Sequence, residues 1–284
     1  MKEVGIDAHR GALEETSLAA CLATVLELPL ESVPRPGAGH DPALGWPTSR
    51  WLGGLGMGIV PIAEPRSFSW PGPWIARVCP PGGEARYVVM FGVPSGVVWD
   101  PTGAAAFEHD WIEAGFIIAA SDIALARPKP PVQPAGTGSV EGIFVAPSAA
   151  EPARSFPATA ALAGRGLEGD RHVVGKGTFP SGLPGSALTL IEAEVCESFA
   201  PPLEPGEHRR NVVTRGIDLN ALVGHEFTIG HVRCRGMRLC EPCTVVDRYA
   251  SRPVLRALVH RGGLRADILE DGRVAVGDVI CAVD

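Results

Sequence analysis

Apolar positions recur with two different periods along the chain, and the change of period marks out its elements. Between residues 14 and 28, Leu18, Cys21, Leu22, Val25 and Leu26 fall at helical spacing, with Thr16 or Ser17 placed to cap the N-terminus. Residues 74–79, 86–91 and 96–99 are instead short β-branched and aromatic runs, separated by Pro-Pro-Gly-Gly and Val-Pro-Ser-Gly turns. They predict an antiparallel meander. Later strand-like runs cover residues 142–146, 187–191, 211–214, 226–229, 231–234 and 274–276, with Gly, Pro and Asp turns between them. Many short strands at this spacing predict a β-barrel, and residues 253–259 a helix within it.

The two regimes meet at residues 127–139, where four prolines are followed by glycines and stiffen the backbone against either period. This divides the 284 residues into an α+β domain over 1–126, a linker over 127–139 and a mainly β domain over 140–284. Hydrophobic residues at 45% and charged residues at 20% suit two packed cores. No run of eighteen apolar residues suggests a membrane span, and the acidic N-terminus lacks the apolar stretch of a secretory signal. The cytoplasm is the expected compartment. A net charge of -7 gives no electrostatic reason for a nucleic-acid partner, although it leaves room for a local site for a small anion. Seven cysteines, an odd number, argue against a disulfide framework and for reactive or buried thiols.

Cys240-Glu-Pro-Cys243 is the sharpest local signal. A structural zinc site needs four ligands, and no second C-x-x-C exists. A thioredoxin-like dithiol needs a βαβ setting, whereas a barrel strand precedes this pair. Two buried structural cysteines are a third reading, and a thiolate that binds metal or carries sulfur is the fourth and preferred one. Gly169-Asp170-Arg171-His172 and Arg209-Arg210-Asn211 accompany it. Paired guanidinium donors suit phosphate, and an amide suits the edge of a heterocycle, so together they point to an anion pocket rather than a solvated turn. The Gly164-x-Gly166-x-x-Gly169 pattern has no helix opening on it, and its glycines are read as turn residues rather than a dinucleotide fingerprint.

Taken in order, residues 166–172, 188–192, 209–224, 227–230, 239–243, 260–266 and 276–280 resemble a compact bacterial MOSC domain, named for the molybdenum cofactor sulfurase C-terminus. The resemblance covers residues 138–284. It implies a β-barrel that binds molybdenum cofactor (molybdopterin) or carries a persulfide sulfur, and an activity as a reductase of N-hydroxylated small molecules or as a sulfurtransferase. Carried over by position, Cys243 is the metal-ligating or persulfide-bearing residue. Arg209 and Asn211 fall in the family's R-x-N segment near the pterin or phosphate, with Arg171, His172 and Thr214 completing the pocket.

The first half, through residues 17–34, 51–56, 86–89 and 99–101, resembles a small papain-like cysteine peptidase domain. Ser17 stands at the nucleophile position, Arg86 at that of the histidine base, and Asp100 at that of the orienting acid. Without a base the serine has no means of activation, so the resemblance implies a degenerate fold that binds a peptide, a carrier protein, a redox partner or a second copy of the chain. Cys21 belongs to the helix's apolar face, and His109 has no spacing that would make it the base. The alternative function for the whole chain is a non-catalytic partner-binding protein with a structural C-x-x-C.

Overall fold

The computed structural model describes residues 3, 5, 12–34, 47–122, 136–149, 151–179 and 183–283, so most of the expected linker lies outside the described residues. Two units are formed, the first ending at Ala119 and the second beginning at Ala120.

In the first unit, helix α1 (Leu13–Leu26) is buried on all sides from Thr16 to Thr24, which suits its run of Leu, Ala and Cys. Glu14 and Glu15 in its first turn favour the positive end of the helix dipole, and Glu27 ends it in the left-handed conformation, φ 56°. Neither Thr16 nor Ser17 is the cap. The helix starts one turn earlier, after Ala12, and both hydroxyls turn back onto carbonyls of the preceding turn. Helix α2 (Pro47–Gly54) leads into β1 (Met57–Pro61), followed by β2 (Trp70–Val78), β3 (Arg86–Gly92), β4 (Gly96–Trp99) and β5 (Ile112–Ala120). These five strands form one sheet in the order β1-β5-β2-β3-β4. The expected meander is β2-β3-β4, antiparallel throughout. Leu18, Cys21 and Leu22 of α1 pack on Ile75, Tyr87 and Val89 of the sheet.

The second unit is mainly β. It contains β6 (Gly138–Val145), β7 (Arg154–Phe156), β8 (Ala158–Leu162), β9 (Gly166–Leu167), β10 (Leu188–Glu192), α3 (Ala193–Glu197), β11 (Val212–Arg215), β12 (Glu226–Ile229), β13 (Val232–Leu239), α4 (Leu255–Leu258), β14 (Leu264–Ile268), β15 (Gly272–Ala275) and β16 (Val279–Ala282). The order β11-β10-β14-β13-β12-β16-β6 returns to β11, closing a barrel of seven strands. Closure leaves no bare edge around the ring. Only β10 and β11 run parallel among these pairs. Leu188, Leu190, Val212, Phe227, Leu264 and Ala266 fill its interior, while α3 and α4 pack outside it around Ile191, Val195 and Leu258. Gly164, Gly166 and Gly169 all have positive φ at the β8–β9 turn and beyond, as turn glycines do. Among the described residues no helix is long and apolar enough to cross a membrane.

Candidate functional site

β13 runs into the loop that carries Cys240 and Cys243, and two glycines at the start of β14 fix where that loop lies. A Cβ on Gly262 would stand 2.2 Å from the Cys240 carbonyl oxygen, and one on Gly263, at φ +93°, would stand 1.9 Å from that of Leu190. Only glycine permits such an approach. The Cys240 N–H donates to the Gly263 carbonyl at 2.7 Å. Cys240 is thereby buried in the wall, whereas Cys243, three residues on, is half-exposed.

Arg210 clamps the same loop. Its guanidinium donates to the carbonyls of Gly262 at 2.9 Å, His208 at 3.0 Å and Cys240 at 3.0 Å, and it is buried. A side chain with three of its five donors committed to carbonyls holds the backbone. Arg209 is turned the other way by a left-handed backbone, φ 58°. Its guanidinium lies 4.1 Å from the Tyr249 ring centroid and donates to the carbonyls of Ala149 and Glu151. These partners are neutral. Arg209 is also within electrostatic reach of Arg171, Asp170 and Cys243, and burial, reinforced by Arg171, holds its pKa below the ordinary arginine value.

The Asp170 carboxylate organises the neighbouring turn. It accepts from the Ala146 N–H at 3.3 Å, the Asn211 amide at 3.0 Å and the His172 N–H at 3.1 Å, with Arg171 at 3.5 Å. Asn211 is engaged throughout: its Nδ2 also donates to Phe144, and its Oδ1 accepts from the Thr189 N–H and hydroxyl. It ties β6, β10 and the Asp170 turn together. His172 is pushed down to about 4, by burial first and then by Arg171, with a smaller push from Arg265. It is a neutral ring at pH 7. Thr214 is fully buried in β11, where its hydroxyl donates to the Ile191 carbonyl at 3.4 Å, apart from this cluster of contacts. Arg209 thus lies within electrostatic reach of both Cys243 and the Asp170–Arg171 turn, and Asn211 supports that turn.

Glu241, between the two cysteines, grips His260 twice, through Nδ1 at 2.8 Å and through the backbone N–H at 2.9 Å. Asn220 donates to the His260 carbonyl, and together these contacts hold a non-glycine residue at φ 60°. Sequence reasoning passed over Glu241, Tyr249 and the clamping role of Arg210. Glu241 sits within the C-x-x-C, but its partner is nineteen residues away, and nothing in the spacing announces the pair. Among the described residues no three His, Cys, Asp or Glu side chains converge as a metal cage.

In the first unit, the Ser17 hydroxyl is fully buried, donating to Glu14 and accepting from the Tyr87 N–H at 2.9 Å. Beside Tyr87, Arg86 forms a buried ion pair with Asp100 at 2.8 Å. The three residues are thus neighbours through the β3 backbone, and Asp100 orients a guanidinium. Cys21 is buried and raised well above the ordinary thiol value by burial and then by Asp100, an inert core thiol as its spacing predicts. The His109 ring is held at the Ser95 carbonyl, 3.0 Å away.

The second unit has a counterpart among known families. A family model for the MOSC domain matches residues 182–281. The C-terminal unit carries a MOSC domain. The match takes in Arg209, Arg210, Asn211 and the loop of the two cysteines, while the Asp170 turn precedes it. Solved structures similar to this chain include the YuaD protein from Bacillus subtilis, 20% identical, covering 51% of this chain and 94% of that one with a TM-score of 0.42. YiiM from Geobacillus stearothermophilus is 13% identical, covering 52% of this chain and 75% of that one with a TM-score of 0.39. YiiM from Escherichia coli is 16% identical, covering 52% and 70%, also with a TM-score of 0.39. No match was found among curated proteins.

Proposed function

We propose that the MOSC domain binds a molybdenum cofactor, with Cys243 as the thiolate ligand of the metal and with Arg171 and Arg209 facing the cofactor's phosphate. The observation that carries this reading is a half-exposed thiol within electrostatic reach of a guanidinium whose hydrogen-bond partners are neutral. The donor set fits the group. A soft thiolate suits molybdenum, and arginines suit phosphate. When bound, the cofactor supplies two-electron exchange, which is the chemistry needed to reduce N-hydroxylated small molecules. The chain's own part is positional: Arg210 and the paired glycines set the height of the cysteine loop, Asp170 and Asn211 hold the Arg171 turn, and neutral His172 adds a polar ring without a further charge.

The same thiol would carry a persulfide in a sulfurtransferase, and one experiment separates the readings. Protein expressed with ample cofactor is assayed for molybdenum and pterin per chain and for its intact mass, alongside Cys243→Ser and Arg209→Gln. Metal and pterin are expected in the wild type, absent in Cys243→Ser and reduced in Arg209→Gln. An added sulfur atom on Cys243 without metal would select the persulfide, and an unmodified, metal-free wild type would remove both. For the first unit we infer a non-catalytic recognition module for a peptide, a carrier or redox partner, or a second copy of the chain. The buried Arg86–Asp100 pair supports this, since a guanidinium occupies the place of a base.

A further inference from the structure

The barrel wall carries a second concentration of positive charge beyond the residues assigned above. Strand pairing sets Phe144, Asn211, Thr189, Arg265 and Arg238 side by side on five neighbouring strands. The Phe144 N–H donates to the Asn211 carbonyl and the Asn211 N–H to that of Thr189; Thr189 is in register with Arg265, and Arg265 with Arg238. Residues opposed in an antiparallel pair project from the same face. Leu264 and Ala266 fill the barrel interior, so alternation turns Arg265, between them, to the outer face.

Two like charges directly opposed across a strand pair destabilise it unless something compensates. The nearby groups do this poorly. Arg238 donates through Nε to the neutral carbonyl of Pro184 at 3.3 Å, and burial, followed by Arg265, pushes it down to about 10. Asp267, two residues from Arg265, is turned to the Gly185 N–H at 2.8 Å; burial raises its pKa, and its attraction to Arg238 is weaker than the opposing push of burial and Arg265 on that arginine. Towards the other end of this row the Asn211 amide donates to Asp170 at 3.0 Å, beside Arg171 and His172, and Arg265 lies within electrostatic reach of His172. The arrangement is a basic track that continues past the first arginine pair, and an anion is what would stabilise it.

We infer that Arg238 and Arg265 form a second anion subsite on the barrel wall, adjoining the Arg171 and Arg209 site, so that the bound ligand is a diphosphate ester rather than a monophosphate. This rests on the reading of Arg171 and Arg209 as phosphate-facing. The test is calorimetric titration of the full chain with inorganic pyrophosphate and, at matched ionic strength, with orthophosphate. Pyrophosphate is expected to bind about tenfold more tightly, and Arg238→Gln and Arg265→Gln each to weaken it by about tenfold, the scale of one lost charge-assisted contact. Equal affinity of the wild type for the two anions, or pyrophosphate binding unaltered in both glutamine variants, overturns the subsite. The titrations use full chain expressed without the cofactor, so that no resident phosphate competes, and the molybdenum and pterin content of cofactor-replete protein scores the cofactor reading separately.

Discussion

Arg210 commits a full charge to three carbonyl oxygens, and the site depends on that commitment more than on any direct contact. Removing the guanidinium leaves the Gly262, His208 and Cys240 carbonyls without it in a buried setting. Arg210→Ala is therefore expected to cost about 3 kcal/mol or more of unfolding free energy, measured by denaturant titration, and to lower cofactor content with Cys243 intact. A change below about 0.5 kcal/mol would deny the clamp, since surface substitutions reach that much. Adjacent to it, His208 is buried and pushed down to about 3, by burial first and then by Arg210 and Arg209. Both His208 and His172 have folded values below the ordinary value near 6.5 that they regain on unfolding. Between those limits the unfolded chain binds more protons, so stability rises with pH and is lost as pH falls from about 6.5 towards 3 to 4. Denaturant titrations from pH 7 to 4 are expected to show this slope, flattened more by His208→Gln than by His172→Gln. Identical slopes in all three proteins would sink the assignment.

Among the elements, the entry to β14 approaches β10 more tightly than the backbone does at any other described glycine. Gly263→Ala would drive a methyl group into the Leu190 carbonyl in a left-handed backbone, and β14 has no room to retreat because it also pairs with β13. A loss of about 3 kcal/mol or more is expected in denaturant titrations, and a variant as stable as the wild type would show that the strands can shift. Much of this layer was legible in the sequence. The helix at α1 and the strands β2, β3, β4 and β12 sit within a few residues of where periodicity puts them, since each presents a long enough run of one pattern. β14 alternates Leu264, Ala266 and Ile268 inward with Arg265 and Asp267 outward, and its two charges break the continuous apolar run by which the other strands stand out. β8, β9 and β16 are short and poor in aromatics, and α3, at five residues, is shorter than the window in which a helical period shows. The C-terminal helix shrinks to α4, four residues, because Pro253 and the glycines at 262 and 263 confine it. For the site, residue types were legible but orientation was not. Of Arg209, Arg210 and Asn211, three adjacent polar residues, a left-handed φ turns the first towards Tyr249, while the other two are buried. Thr214, expected in the pocket, faces the Ile191 carbonyl instead.

Across the whole molecule, burial sorts the seven cysteines. Cys21, Cys196, Cys234 and Cys240 are buried, and burial raises Cys196 and Cys234 to about 12; Cys79, Cys243 and Cys281 are half-exposed. Under native conditions a thiol reagent is expected to modify only these last three, and the buried four only after denaturation, followed by mass spectrometry of digested protein. Native modification of Cys240 at the rate of Cys243 would contradict the division of the pair into a structural and a functional thiol. Barrel closure carries a further consequence for the order of events during synthesis. β16, the last strand described, lies between β12 and β6, so the ring waits on residues 279–282 while β6 has already emerged far earlier. Until then the nascent barrel has two unpaired strand margins on which another chain could template itself, and the final segment acts as the latch that removes them.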